Sequence, residues 1–210
     1  MQDEEDVPYG ENFHDEAKAA AWADAATRKR PWRSGIFARF ATTVLASKIA
    51  RPRVLELGSG PGFLAEHVLD RCSSVAEYTL LDFSEPMLAQ SRLRLSRHAA
   101  RTKFVRADFK SDSWLAAVER PFDFVLSLQA VHELRHKRHA PRLYEQIRSV
   151  VSSPAELVVC DHLPEGAHTP RHRVLYMTVA ESLTVLAAAG FLEPALVWTE
   201  HAMAMYRARC

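Results

Sequence analysis

From Arg53 onward, short apolar runs alternate with amphipathic stretches. RVLEL (53–57), YTLLD (78–82), KFVRAD (103–108), FDFVLSL (122–128) and ELVVCD (156–161) read as strands. Between them lie helical patterns. FLAEHVLDR follows the first strand. Ser84 can cap the next helix, with Pro86 in its first turn and Met87, Leu88 and Leu95 on its inner side. A short helix is predicted near 113–119 and a longer one over roughly 139–151. Thr178 with Glu181 three residues on is a capping box, and Gly190 supplies the left-handed stop. Two last strand-like runs, EPALVWTE and AMAMYRAR, meet around His201 and should pair antiparallel.

Upstream of Arg53 the pattern predicts two helices, 15–29 and 33–49, separated by Pro31, after a first nine residues expected to fray. Strand–helix repeats with nearly continuous apolar strands imply an α/β fold. The expectation is a doubly wound, mostly parallel seven-stranded sheet with an antiparallel C-terminal hairpin. An N-terminal helical cap (1–51) precedes the main domain (52–210). Ligands of such sheets bind beyond the carboxyl ends of the strands. That rule selects the loops after residues 57, 82, 108, 128 and 161.

Composition narrows the setting. The chain has 210 residues and a formal net charge of +1, so its overall field gives no reason to expect a polyanionic partner. Three scattered cysteines do not make a disulfide framework, which fits a reducing compartment. MQDEEDVPYG has no apolar core of a signal peptide, and no apolar run approaches the ~18 residues of a membrane span. The expectation is a cytoplasmic protein with no membrane partner; nothing sets the oligomeric state.

The loop after the first strand carries the first chemical signal. Gly58, Ser59, Gly60 and Gly62 run from a strand into a helix. Glycines allow the tight turn and let a ligand touch backbone, while the helix start favours an anion. Asp82 ends the next strand, where a carboxylate can accept both hydroxyls of a ribose. The dinucleotide fingerprint would place its third glycine where this chain has Phe63, which tilts the reading away from a pyrophosphate ligand.

At this point the chain resembles the class I S-adenosylmethionine-dependent methyltransferases. LELGSGPG is similar to their first motif, LLDFSEPMLAQSR to the second, VRADF to the third and FDFVLSLQAVHEL to the fourth. The resemblance covers about residues 52–210. It implies S-adenosyl-L-methionine as cofactor, with Gly58 to Gly62 around its methionine end and Glu56 ordering that end. It also implies Asp82 on the ribose, Phe83 and Met87 lining the adenine pocket, and Asp108 on the adenine amino group with Phe109 beside the ring. Ser127 and Leu128 would border the sulfonium. Met87 and Phe109 can equally be core, and Asp108 a helix cap.

Methyl transfer needs a general base only when the acceptor loses a proton. His132 and Glu133 follow the fourth strand; Asp161 and His162 end the fifth. His132 can deprotonate a hydroxyl or can simply cap the next helix, and Asp161 and His162 can orient a substrate or close the sheet edge. HELRH (132–136) also matches the H-E-x-x-H zinc pattern, but it abuts a strand and lacks an obvious third ligand. The basic stretches 92–103 and 135–142 read as solvated helix faces, so a nucleic-acid partner is not expected. Tyr9, Phe13, Trp22 and Trp32 from the cap, with Tyr176 from the long loop 162–177, are candidates for the acceptor pocket, although the tryptophans can also be plain packing. The reading is methyl transfer to a small molecule, with oxygen a candidate acceptor atom. The alternatives are a cofactor-binding module without catalysis and, further off, a zinc hydrolase.

Overall fold

Seven strands form one sheet: β1 (Arg53–Leu57), β2 (Glu77–Asp82), β3 (Thr102–Arg106), β4 (Phe122–Leu128), β5 (Val151–His162), β6 (Leu192–Glu200) and β7 (Met203–Arg209). Their order is β3-β2-β1-β4-β5-β7-β6. β1 to β5 pair in parallel, and β7 runs antiparallel to both β5 and β6. The strand order reverses between β1 and β4, so their carboxyl ends flank the crevice where such sheets take ligands. This computed structural model describes residues 5–8, 10 and 12–210; Tyr9 lies outside the described residues.

Helices cover both faces, as the apolar strands require. α1 (Glu16–Lys29) and α2 (Arg33–Leu45) precede the sheet, and α3 (Phe63–Arg71) and α4 (Glu85–Arg94) follow β1 and β2. α5 (Trp114–Ala117), α6 (Ala140–Val150) and α7 (Val179–Ala188) complete the set. One core joins Ile36, Phe40 and Val44 of α2 to Leu64 and Val68 of α3 and to Val54, Phe124 and Val158 of the sheet. The opposite core joins Leu55, Val125 and Leu157 to Tyr144 and Ile147 of α6 and Leu186 of α7. α2 buries its stripe at 36, 37, 40, 41 and 44 in that core.

Local features refine the sequence pattern, and the second helix, expected to 49, ends at Leu45. The helix expected over 113–119 is a single turn, since the chain is already extended at Val118. β5 begins at Val151 instead of near 156, with a register shift against β4 between Phe122 and Phe124. HELRH does not lie on one helix: a short 3₁₀ turn, Val131–Leu134, stops at Arg135 in the left-handed region (φ 69°), and His136 caps the next turn. Finally, the described part of the first nine residues is anchored. Val7 is buried against Leu175 and Tyr176, and Arg135 donates to the carbonyls of Val7 (2.9 Å) and Pro8 (2.6 Å).

Candidate active site

The loop from β1 to α3 is a run of left-handed turns, with φ of 66°, 53° and 80° at Gly58, Gly60 and Gly62. Gly58 meets a second constraint, for a Cβ there would come within 2.4 Å of the Ala130 Cβ. The loop therefore lies hard against the segment that leaves β4. Asp82 ties the ends of β1 and β2 together. Its Oδ2 accepts from the Gly60 amide (2.8 Å) and its Oδ1 from the Ser84 amide (2.9 Å). Burial raises the Asp82 carboxyl to about 6, against the pull of those amides. Glu56, one turn of the pleat back on β1, is fully enclosed and accepts a hydrogen bond from the Tyr78 hydroxyl at 2.7 Å. Burial, with Asp82 nearby, raises it to about 8.

Beyond these strand ends lies a cavity of about 260 Å³. The expected cofactor residues Glu56, Gly58, Ser59, Gly60, Asp82, Phe83, Met87, Asp108, Phe109 and Leu128 all line it. Gly62 does not; it starts α3 behind the loop, tight against Ser91. Ser127 is buried in β4, with its hydroxyl on the Leu57 carbonyl. Asp108 is exposed, and its Oδ1 accepts from the Lys110 amide (2.9 Å), the local turn that its alternative reading anticipates.

His132, Glu133, His162 and Tyr176 line the same cavity. His132 Nδ1 lies 2.7 Å from Asp161 Oδ1, and its backbone amide donates to Asp161 Oδ2 at 3.0 Å. Its Nε2 is 3.3 Å from Glu133. Asp161 sits behind His132 and outside the main cavity. Burial disfavours the imidazolium of His132, but the carboxylates of Asp161 and Glu133 outweigh it and raise the ring to about 10. His162 goes the other way, pressed down to about 4 by burial. Its Nε2 is 3.0 Å from the Gln129 amide nitrogen. His132, Asp161 and His162 bring ligand atoms within 4.8 Å of one another. Asp161, however, already serves the His132 ring and the amides of residues 132 and 162.

Phe13 and Trp22 of the N-terminal segment line the cavity, edge to face at 5.8 Å. Trp32 lies elsewhere, stacked on His201 at 4.8 Å. The loop 162–177 is folded into two 3₁₀ turns and reaches the cavity through Gly166, His168 and Tyr176. Sequence reasoning missed Arg30, Arg33 and Gln129, which also line it. Arg33 was readable, since it continues the apolar stripe of α2 three, four and seven positions before Ile36, Phe37 and Phe40. The basic stretches make local contacts: Arg97 pairs with Glu66 and Asp70, and Arg101 donates to carbonyls around Cys72.

A family model described as a methyltransferase domain matches residues 54–153. A malonyl-(acyl-carrier protein) O-methyltransferase from Magnetococcus marinus is 36% identical over 81 residues, which is 39% of this chain and 28% of that protein. The chain thus spans under a third of the length of this curated relative. An O-methyltransferase family protein from Burkholderia thailandensis superposes with a TM-score of 0.71 at 16% identity, over 93% of this chain and 60% of that one. DhpI, solved as a complex with SAH, superposes with a TM-score of 0.68 at 19% identity, over 93% of this chain and 95% of that one. Residues 54–153 are thus similar to a methyltransferase domain, and the sheet order with its reversed hairpin gives the chain a methyltransferase-like α/β fold.

Proposed function

We propose that this chain uses S-adenosylmethionine to methylate a small molecule that carries an ionisable hydroxyl. One observation carries the acceptor side of this reading: His132, backed by Asp161, faces the same cavity as the glycine loop and Asp82. The residues present suit the cofactor. The free second lone pairs of Asp82 can take ribose hydroxyls, and Ser59 Oγ and Gln129 Oε1 are buried in the cavity wall without a hydrogen-bond partner among the described residues. Met87, Phe83 and Phe109 offer apolar surface for a base, beside the exposed carboxylate of Asp108.

The cofactor supplies a methyl group already activated by a sulfonium, which moves to the acceptor by in-line displacement. The chain's own residues orient the acceptor and take its proton. His132 Nε2 is the ring nitrogen left over from the Asp161 bond, and its neutral form accepts the hydroxyl proton. Asp161 fixes the tautomer and, with Glu133, supports the imidazolium that results. A ring held at about 10 matches a phenolic hydroxyl, whose ordinary value is also about 10, so the transfer is nearly level in energy. Phe13, Trp22 and Tyr176 give that acceptor an aromatic surround. In this reading residues 1–51 cap the domain formed by 52–210. Three free, buried cysteines accord with the reducing cytoplasm as its setting.

Titration calorimetry with S-adenosylhomocysteine tests the proposal. The wild-type chain should bind it, and Asp82→Ala should weaken binding at least about tenfold through loss of charge-assisted hydrogen bonds. Absence of binding to the wild type, or full binding by the variant, overturns it.

A further inference from the structure

Behind His132 lies a second, much smaller cavity of about 20 Å³. His132, His162 and Tyr176 form the partition, since they line both cavities. The other polar walls are Asp161 of β5, Tyr144 of α6, Ser182 of α7 and Tyr206 of β7. Tyr144, Ser182 and Tyr206 are buried. The Tyr206 hydroxyl has no hydrogen-bond partner among the described residues. Ser182 is close enough to act on it, but their geometry makes no bond. Burial, with Asp161 nearby, pushes both phenols up, so each stays neutral and can donate.

Asp161 has one place left to accept, because a carboxylate offers about four lone-pair sites. Its Oδ1 serves His132 Nδ1 and the His162 amide, both at 2.7 Å, and its Oδ2 serves the His132 amide at 3.0 Å. One site on Oδ2 remains among the described residues. The cavity exceeds the roughly 10–15 Å³ that a single water needs, and its walls offer the polar partners such a water requires. An unbonded buried hydroxyl is costly, and a bridging water removes that cost.

We propose that this chamber holds one ordered water that links Tyr144 and Tyr206 to Asp161, which makes the two tyrosines positioning residues for His132. The proposal rests on the reading of His132 as the base. The water accepts from the two phenols and donates to Asp161 Oδ2. It thereby fixes the carboxylate behind the ring and takes up part of its charge.

Tyr144→Phe and Tyr206→Phe in the full chain keep the rings and remove one donor each. NMR titration of the His132 ring reads the effect without any methyl transfer. The charged and titratable groups that face this ring are Asp161 and His162 of β5, Glu133 of its own turn with Arg135 behind it, and Tyr176 of the 162–177 loop. Both variants leave all of them in place. With an anchor of the water lost, Asp161 holds the imidazolium harder, and the midpoint should rise by about half to one unit. Turnover should fall severalfold with KM unchanged. The double variant should shift little further than either single one, because both act through the same water. A high-resolution crystal structure of the wild type should show that water between the phenols and Asp161. A dry chamber overturns the proposal, as does a midpoint that stays or falls in both variants. Should one variant fail to fold, the other variant and the wild-type water decide. A wild type that methylates no hydroxyl acceptor would instead defeat the underlying reading and leave the titration result standing.

Discussion

At His132 two effects oppose each other. Burial favours the neutral ring, while Asp161 and Glu133 favour the charged one, and the carboxylates win. Most of the protein therefore carries a proton on this ring at pH 7, and the neutral form grows as pH rises. The rate at saturating cofactor should climb between about pH 7 and pH 10 and then level. Asp161→Asn removes the larger charge, so the climb should begin at lower pH while the plateau falls; an unmoved midpoint argues against the pair. His132→Ala should lower turnover by about 10²–10⁴-fold with little change in S-adenosylhomocysteine affinity, and equal small losses in both would mark a structural role. His132 was legible because it directly follows a strand end. The partnership with Asp161 was not, since 29 positions separate them and only the parallel pairing of β4 with β5 brings them together.

Among the elements, the glycine loop is held by geometry more than by composition. Gly58 combines a left-handed φ with a close approach to Ala130, so Gly58→Ala meets both a backbone penalty of about 1–2 kcal/mol and a clash. Thermal melting should fall by several degrees, about 2–4 °C per kcal/mol for a chain of this size. A melt within one degree of wild type would show that the segment after β4 yields. Strand runs and helix stops were readable because burial on both faces leaves continuous apolar strands, and because Thr178 and Glu181 do form their reciprocal cap. The HELRH segment abuts a strand, which already spoke against one helix, but the cause of its break was not readable. Its spacing suits a helix, but a left-handed Arg135 held by the Val7 and Pro8 carbonyls breaks it, and that contact spans more than a hundred residues. Arg33 illustrates the converse. Its position on the α2 stripe was visible, while the lack of a partner for its Nε and Nη1 among the described residues needed the packed structure.

For the whole molecule, buried acids make stability depend on pH. Glu56 is raised from an ordinary value near 4.5 to about 8, so the folded chain binds more protons than the unfolded one between those limits. Stability from this group therefore falls as pH rises from about 4.5 to about 8. Glu56→Gln should flatten that part of the denaturation profile, and parallel profiles for the two proteins would contradict the assignment. Asp82 acts with the same sign over a lower window, up to about 6.

The cavity's outer wall is fastened in an unusual currency. Arg135 grips the carbonyls of Val7 and Pro8, the Val7 amide reaches the Arg135 carbonyl, and the Ser84 hydroxyl donates to the carbonyl of Phe13. These bonds reach the main chain of the N-terminal segment, while Val7 and Asp6 add side-chain contacts of their own. Side chains such as Phe13 can then be exchanged without loosening the segment that carries them. On the proposed function, a library varied at Phe13 should consequently keep its fold while its acceptor preference drifts, which makes this wall the natural starting place for retargeting.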